Sequence, residues 1–152
     1  MTIDVPRLTG GHLLEVVDIP EWSGPMPAVD PSSAPYFEAA ARGALLIERC
    51  GACGAVQHYP RRICTRCGAT PDWEAASGIG TVYTFSVVHQ MGVIPFSGRV
   101  PYVVALIDLA EGPRLVGNVV DCEPGAVSIG SPVQCVIHRV NSEVGWPQWR
   151  LR

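Results

Sequence analysis

The stretch CGACGAVQHYPRRICTRCG, residues 50–68, decides how the rest of the chain is read. Two residues separate Cys50 from Cys53 and two separate Cys64 from Cys67, a spacing at which a tight turn directs both sulfurs of a pair at one point. Gly54 and Gly68 follow the pairs and permit the backbone bend that aims amide hydrogens at the thiolates. Two such knuckles supply a tetrahedral four-sulfur cage with no open position, which makes it structural rather than catalytic. Zinc suits that cage; iron takes the same geometry, and a pair of disulfides is the metal-free alternative. About twenty residues surround the site, too few for a core of their own. The metal must then supply most of the module's folding free energy, on the order of 10 kcal/mol or more. His58 lies between the pairs, but four thiolates already fill the tetrahedron.

Upstream, Ser33 is a suitable helix cap with Pro35 in the first turn, and Gly43 is placed to end the helix. Tyr36, Phe37, Ala40 and Ala41 share one face of it, and Leu45 and Ile47 begin a short strand into the first knuckle. Residues 1–33 carry scattered apolar side chains among proline and glycine without a period. Such an arm is either draped over the body or ordered by a partner.

Downstream the texture turns to β. Strands are expected at Thr81–His89, Tyr102–Asp108, Arg114–Asp121, Val133–Val140 and Trp146–Leu151, with Gly117 marking a bend or bulge. Five short strands suggest a small closed barrel of the OB type. The expected fold is therefore mainly β: an extended N-terminal arm (1–33), a helix and rubredoxin-like zinc ribbon (34–76), and a five-stranded OB-fold barrel (77–152).

Composition narrows function. Charged residues make up 16% of the 152 residues, below the roughly 25% of an average soluble protein. Hydrophobic residues make up 47%, so the chain either has a large core or keeps apolar surface for a partner. All 11 basic residues are arginine, which removes lysine Schiff-base and lysine general-base chemistry. A net charge of −3 argues against general nucleic-acid affinity. The N-terminus lacks the pattern of a secretory signal and no stretch is long enough to span a bilayer, so a cytoplasmic protein is expected.

No serine elbow, phosphate loop, dinucleotide fingerprint or helical zincin pair occurs. Cys135 shares a strand face with Val133 and Ile137 and reads as a buried hydrophobe; Cys122 sits between Asp121 and Glu123, whose charges oppose a thiolate. His89, at a strand end, has no partner to orient it as a base. The loop from Gln90 to Pro101 is apolar at Met91, Val93, Ile94 and Phe96 and carries Arg99; it lines a passage, docks a partner or covers the barrel end. Arg49, Arg61, Arg62 and Arg66 form a basic patch suited to coenzyme A phosphates, nucleic acid, an acidic partner or plain solvent.

Taken together, FEAAARGALLIERC, the two knuckles, GIGTVYTFSVVH, PYVVALIDL, LVGNVVD and IGSPVQCVI make the chain resemble the zinc-ribbon plus OB-fold family associated with acyl-CoA enzymes, over about residues 33–140. The resemblance implies a non-catalytic partner of a thiolase-like enzyme (thiolase, retro-aldolase or acyltransferase) that stabilises the catalytic subunit and helps form the acyl-CoA passage, in a heterotetramer. It implies Cys50, Cys53, Cys64 and Cys67 as zinc ligands and carries no catalytic residue. Arg61, Arg62, His89, Met91, Ile94, Phe96 and Arg99 are the expected contacts to substrate or partner. A nucleic-acid-binding ribbon/OB module and a rubredoxin-like iron electron carrier are the competing readings.

Overall fold

The structure is a computed structural model and describes residues 13–152. Strand β1 (Val16–Asp18) is followed by helix α1 (Ala34–Ala41), the short strands β2 (Leu46–Arg49), β3 (Val56–Gln57) and β4 (Asp72–Ala75), and then β5 (Ile79–Val88), β6 (Tyr102–Leu109), β7 (Arg114–Val119), β8 (Pro132–Arg139) and β9 (Gly145–Leu151).

The last five strands close a barrel in the order β5-β6-β7-β9-β8, with β8 returning to pair with β5. Their sequences explain it. In β6 the alternation is strict: Val103, Ala105, Ile107 and Leu109 are buried and the residues between them are not. Val82, Leu115, Val133, Ile137 and Trp149 complete the interior. The expected bulge lies elsewhere than at Gly117. It falls at Tyr83, where the β5–β6 register slips between Val82 and Thr84. Gly117 pairs regularly with Ala105, and its missing side chain makes room for the Trp149 indole: a Cβ there would stand 2.8 Å from Trp149 Nε1.

The ribbon forms a separate three-stranded sheet, β3-β2-β4. Leu45, Leu46 and Ile47 lead into it, are essentially inaccessible, and join the barrel core. Helix α1 lies between the two sheets and begins after Ser33, which does not cap it with its side chain. Asp30 organises the entry instead, accepting from the Ser32 and Ser33 amides at 2.8 and 2.9 Å. These hydrogen bonds hold the Asp30 carboxyl down at about 2.

The first twelve residues of the expected arm lie outside the described residues. From Leu14 onward the arm is draped on the body: Leu14 is buried, its amide donates to Gly43 O at 2.8 Å, and β1 adds to the barrel as a parallel edge on β8. Arg139 grips Asp18 with two hydrogen bonds of 2.6 and 2.9 Å, and Arg150 reaches Glu15 at 2.7 Å. Exposed pairs of this kind are screened by water and contribute little, so the ladder and Leu14 hold the arm. Among the described residues no helix is long and apolar enough to cross a membrane.

Candidate functional site: a four-cysteine knuckle and an aromatic cleft

The two knuckles repeat one local design. Gly54 N–H donates to Cys50 O and Gly68 N–H to Cys64 O, at 2.8 and 2.9 Å, and both glycines take the left-handed backbone that closes the turn, with φ of 71° and 78°. The four sulfurs lie within 4.8 Å of one another; Cys50 Sγ is 3.5 Å from Cys67 Sγ, and Cys53 Sγ is 3.7 Å from Cys64 Sγ. A tetrahedral zinc with bonds near 2.3 Å sets sulfurs about 3.8 Å apart, so the residues present fit that ion. The Arg66 amide points at Cys64 Sγ from 3.4 Å, the kind of hydrogen bond that stabilises a metal-bound thiolate.

A buried polar network ties the second knuckle to the sheet. Glu48 and Gln57 are opposite each other in the β2–β3 pair and both are buried. Gln57 Nε2 donates to Glu48 Oε2 at 2.7 Å and to Ile63 O at 3.2 Å, while its Oε1 accepts from the Thr65 amide at 3.0 Å. Glu48 also accepts from the Arg61 amide at 3.0 Å. The loop between the knuckles is thus held by side chains of the strands rather than by a core.

The residue after Gln57 opens the second feature. His58 and Tyr59 form one wall of a cleft of about 630 Å³, opposite the arm and above the barrel. Tyr36 and Phe37 of α1, Met26 of the arm and Val116 of β7 line it as well. This volume and lining fall in the range of small-ligand and peptide sites. Trp22 marks its inner end, meeting Phe96 and Trp146 edge-on at 5.7 and 5.5 Å, with the Arg99 guanidinium 5.0 Å from its ring. Beyond that junction lies a smaller cavity of about 240 Å³, bordered by Tyr102, Asp121, Cys122 and His138.

His58 packs 5.1 Å from the Tyr36 ring, and burial pushes its pKa down to about 4. The folded chain therefore keeps it neutral at pH 7. Since the unfolded chain binds this proton near pH 6.5, stability is lost as pH falls from about 6.5 to 4, by on the order of 3 kcal/mol. Urea unfolding of the zinc-loaded protein at pH 7 and pH 4.5 checks this. His58→Phe is expected to flatten that part of the pH dependence; an unchanged slope would contradict the assignment.

The structure distributes the expected contact residues unevenly. Phe96 and Arg99 meet at the Trp22 junction. Arg61 and Arg62 are exposed and border a second depression beside Trp73. His89 and Ile94 are exposed, Met91 is half-buried, and none of the three lines the two aromatic cavities. The expected basic patch is smaller than the sequence suggests, because Arg49 forms a bidentate ion pair with Glu74 across β2–β4 and lowers its pKa. Burial raises the thiols of Cys122 and Cys135 outside the knuckles, which disfavours their reactive thiolate forms. Trp22, Tyr36, His58 and Trp146 were not anticipated as a cluster; their only sequence signal is that aromatics punctuate otherwise proline- and glycine-rich segments.

Comparison with known proteins follows the same division. The family model for the ChsH2 rubredoxin-like zinc ribbon domain matches residues 37–74, and that for the ChsH2 C-terminal OB-fold domain matches residues 73–138. A DUF35 domain-containing scaffold protein of Methanocaldococcus jannaschii is 42% identical over 106 residues, covering 67% of this chain and 73% of that protein. A probable enoyl-CoA hydratase alpha subunit of Thermomonospora curvata is 40% identical over 128 residues, covering 83% of this chain but only 39% of that longer protein. The chain thus spans about two fifths of that relative's length. Among solved structures, a chain of an Ltp2-ChsH2(DUF35) aldolase superposes with a TM-score of 0.74 at 38% identity, covering 83% of this chain and 98% of that one. With four thiols set for a ribbon metal, a closed five-stranded barrel and these likenesses, the chain belongs to the DUF35 family of ChsH2-type zinc-ribbon and OB-fold proteins.

Proposed function

We propose that the chain is a non-catalytic accessory subunit of a thiolase-superfamily complex acting on acyl-CoA, holding its catalytic partner in an active form and helping to build the acyl passage. The observation that carries this reading is the likeness, over nearly the whole of the matched chain, to the DUF35 component of an aldolase. The hydratase-subunit name of the Thermomonospora relative supports acyl-CoA as the substrate class. The divisions at 1–33, 34–76 and 77–152 then serve as arm, metal-stapled ribbon and barrel. Zinc at Cys50, Cys53, Cys64 and Cys67 has a structural part, since four thiolates leave no position for substrate.

Several residues take roles within this reading. Arg61 and Arg62, exposed on the ribbon, suit the phosphates of coenzyme A, which forked guanidinium groups bind well. His89, Met91, Ile94, Phe96 and Arg99 form an apolar loop with a cationic end that meets the partner or the acyl chain. Ile94, 76% exposed, is the kind of side chain an interface covers. Two copies flanking a catalytic dimer satisfy closed symmetry in a heterotetramer.

Gentle purification of the tagged chain from its source organism tests the reading. A thiolase-like protein is expected in equal amounts by mass spectrometry, inactive alone and active once this chain is restored. A chain that emerges alone and monodisperse, or a partner fully active without it, would overturn the proposal.

A further inference from the structure

The floor of the aromatic cleft is an unfinished strand pairing. Along β7 the even-numbered residues direct their main chain toward β9: Val120 N–H donates to Trp149 O at 2.8 Å, and Asn118 N–H to the Gln148 side-chain oxygen at 2.8 Å. The odd-numbered residues face β6, in the register that pairs Leu115 with Ile107 and Gly117 with Ala105. The parallel β7–β9 pairing consists of one bridge, Val119 with Trp149.

Its abrupt end has a chemical cause. Extending that register by two residues sets Gly117 beside Pro147, where the β9 amide donates to Val116 O; proline has no N–H to give. Asn118 N–H, which the same pattern aims at Pro147 O, is taken instead by the Gln148 side chain. The strands part there. Val116, whose N–H and C=O face away from β6, lies outside the recorded β7–β9 pairing and lines the cleft. Its side chain is 45% exposed, and Met26 and Tyr59 on the rim are similarly open.

We propose that this cleft receives an extended peptide segment of the catalytic partner, added as a strand on the free edge of β7 at Val116. The inference rests on the reading of the chain as an accessory subunit. A peptide fits where an acyl chain does not: its main chain offers hydrogen-bond partners to the N–H and C=O of Val116, which a hydrocarbon cannot. Alternate side chains of the segment then fall between Tyr36, Phe37 and Trp146, so they are apolar. Charge selects what flanks them. Next along the chain from Tyr59 and Pro60 of the cleft wall come Arg61 and Arg62, which border the neighbouring depression beside Trp73 and make no ion pair among the described residues. An acidic residue beside the apolar stretch meets them.

The test uses the whole chain expressed in its source organism with p-benzoylphenylalanine replacing Val116 or, as a control on a remote exposed site, Ile129. After irradiation of the purified complex, cross-linked peptides are mapped by mass spectrometry. Expected is a link from position 116, not 129, to one continuous partner segment of alternating apolar residues with an Asp or Glu close by. Hydrogen exchange of the Val116 amide is expected to slow at least 10-fold in the complex. A partner that co-purifies but links only elsewhere, with Val116 exchange unchanged, sinks the strand-addition proposal and leaves the accessory-subunit reading standing. An acyl-CoA adduct at position 116 replaces the peptide by a small ligand. No co-purifying partner at all overturns both.

Discussion

Treatment with a strong chelator is expected to unfold the ribbon and leave the barrel standing. The reason is where each part keeps its stability. Between the knuckles the chain has no hydrophobic core, only the Gln57–Glu48 network, and Ile63 in that loop is 59% exposed. The four converging sulfurs are what close it, and a structural zinc supplies on the order of 10 kcal/mol. The barrel instead rests on Val103, Ile107, Leu115 and Ile137, in a core that also takes in Leu46 and Ile47 of β2 but none of the four knuckle cysteines. Hydrogen exchange reads the difference residue by residue. The amides of Thr65 and Arg61 should lose more than about 100-fold protection on chelation, as in Cys64→Ser, while those of Ile107 and Ile137 keep theirs. Cooperative loss of both sets would mean that the barrel depends on the metal too; no change would remove the metal from the account.

The second large effect is expected at Trp149. It is fully buried, it forms the lone β7–β9 bridge, and its ring fills the space that Gly117 leaves open. Trp149→Ala should cost about 3–5 kcal/mol, the range for truncating a buried aromatic. For a barrel of this size that lowers the melting temperature by roughly 12–40 °C, if each kcal/mol moves it by about 4–8 °C. Trp149→Phe sharpens the test. The indole Nε1 has no hydrogen-bond partner in the structure, so phenylalanine forfeits no bond and should cost less than half as much. Thermal melts of the zinc-loaded variants decide it. Equal losses for the two substitutions would point to a hidden hydrogen bond; a small loss for alanine would contradict the closure of the barrel through this residue.

The parts of the fold legible in the sequence are those where one residue type has one physical use. Paired cysteines two residues apart have few functions other than metal binding in a chain of this kind. Strict alternation in Tyr102–Leu109 fixes which face is buried without knowledge of any neighbour. The parts that were not legible depend on partners far along the chain. Val16–Asp18 is too short to announce itself and is a strand only because Ile137–Arg139 offers an edge. Val56–Gln57 is likewise made by its pairing with Glu48 and Arg49. Gly117 was read through its freedom to bend, whereas it was required for its lack of volume, a demand set by Trp149 thirty-two positions later.

The same limit applied to the site. Cys50, Cys53, Cys64 and Cys67 carry their own spacing and were visible at once. The cleft draws Trp22, Tyr36, His58, Val116 and Trp146 from five separate elements or loops, and no local pattern links them. His89 stood out because it ends a strand, but the strand delivers it to solvent. Arg49 looked like part of a basic patch until the β2–β4 register set Glu74 within its reach.

The position of Gln57 has a physiological consequence. Both ends of its side-chain amide fasten the loop that carries the second cysteine pair, and the next residue along the chain begins the aromatic wall of the cleft. A cell short of metal would therefore make a protein whose barrel survives while its docking wall is slack. If the cleft receives the partner as proposed, nutrient supply, acting through one glutamine, sets how many complexes can be assembled before the abundance of the chain itself has changed.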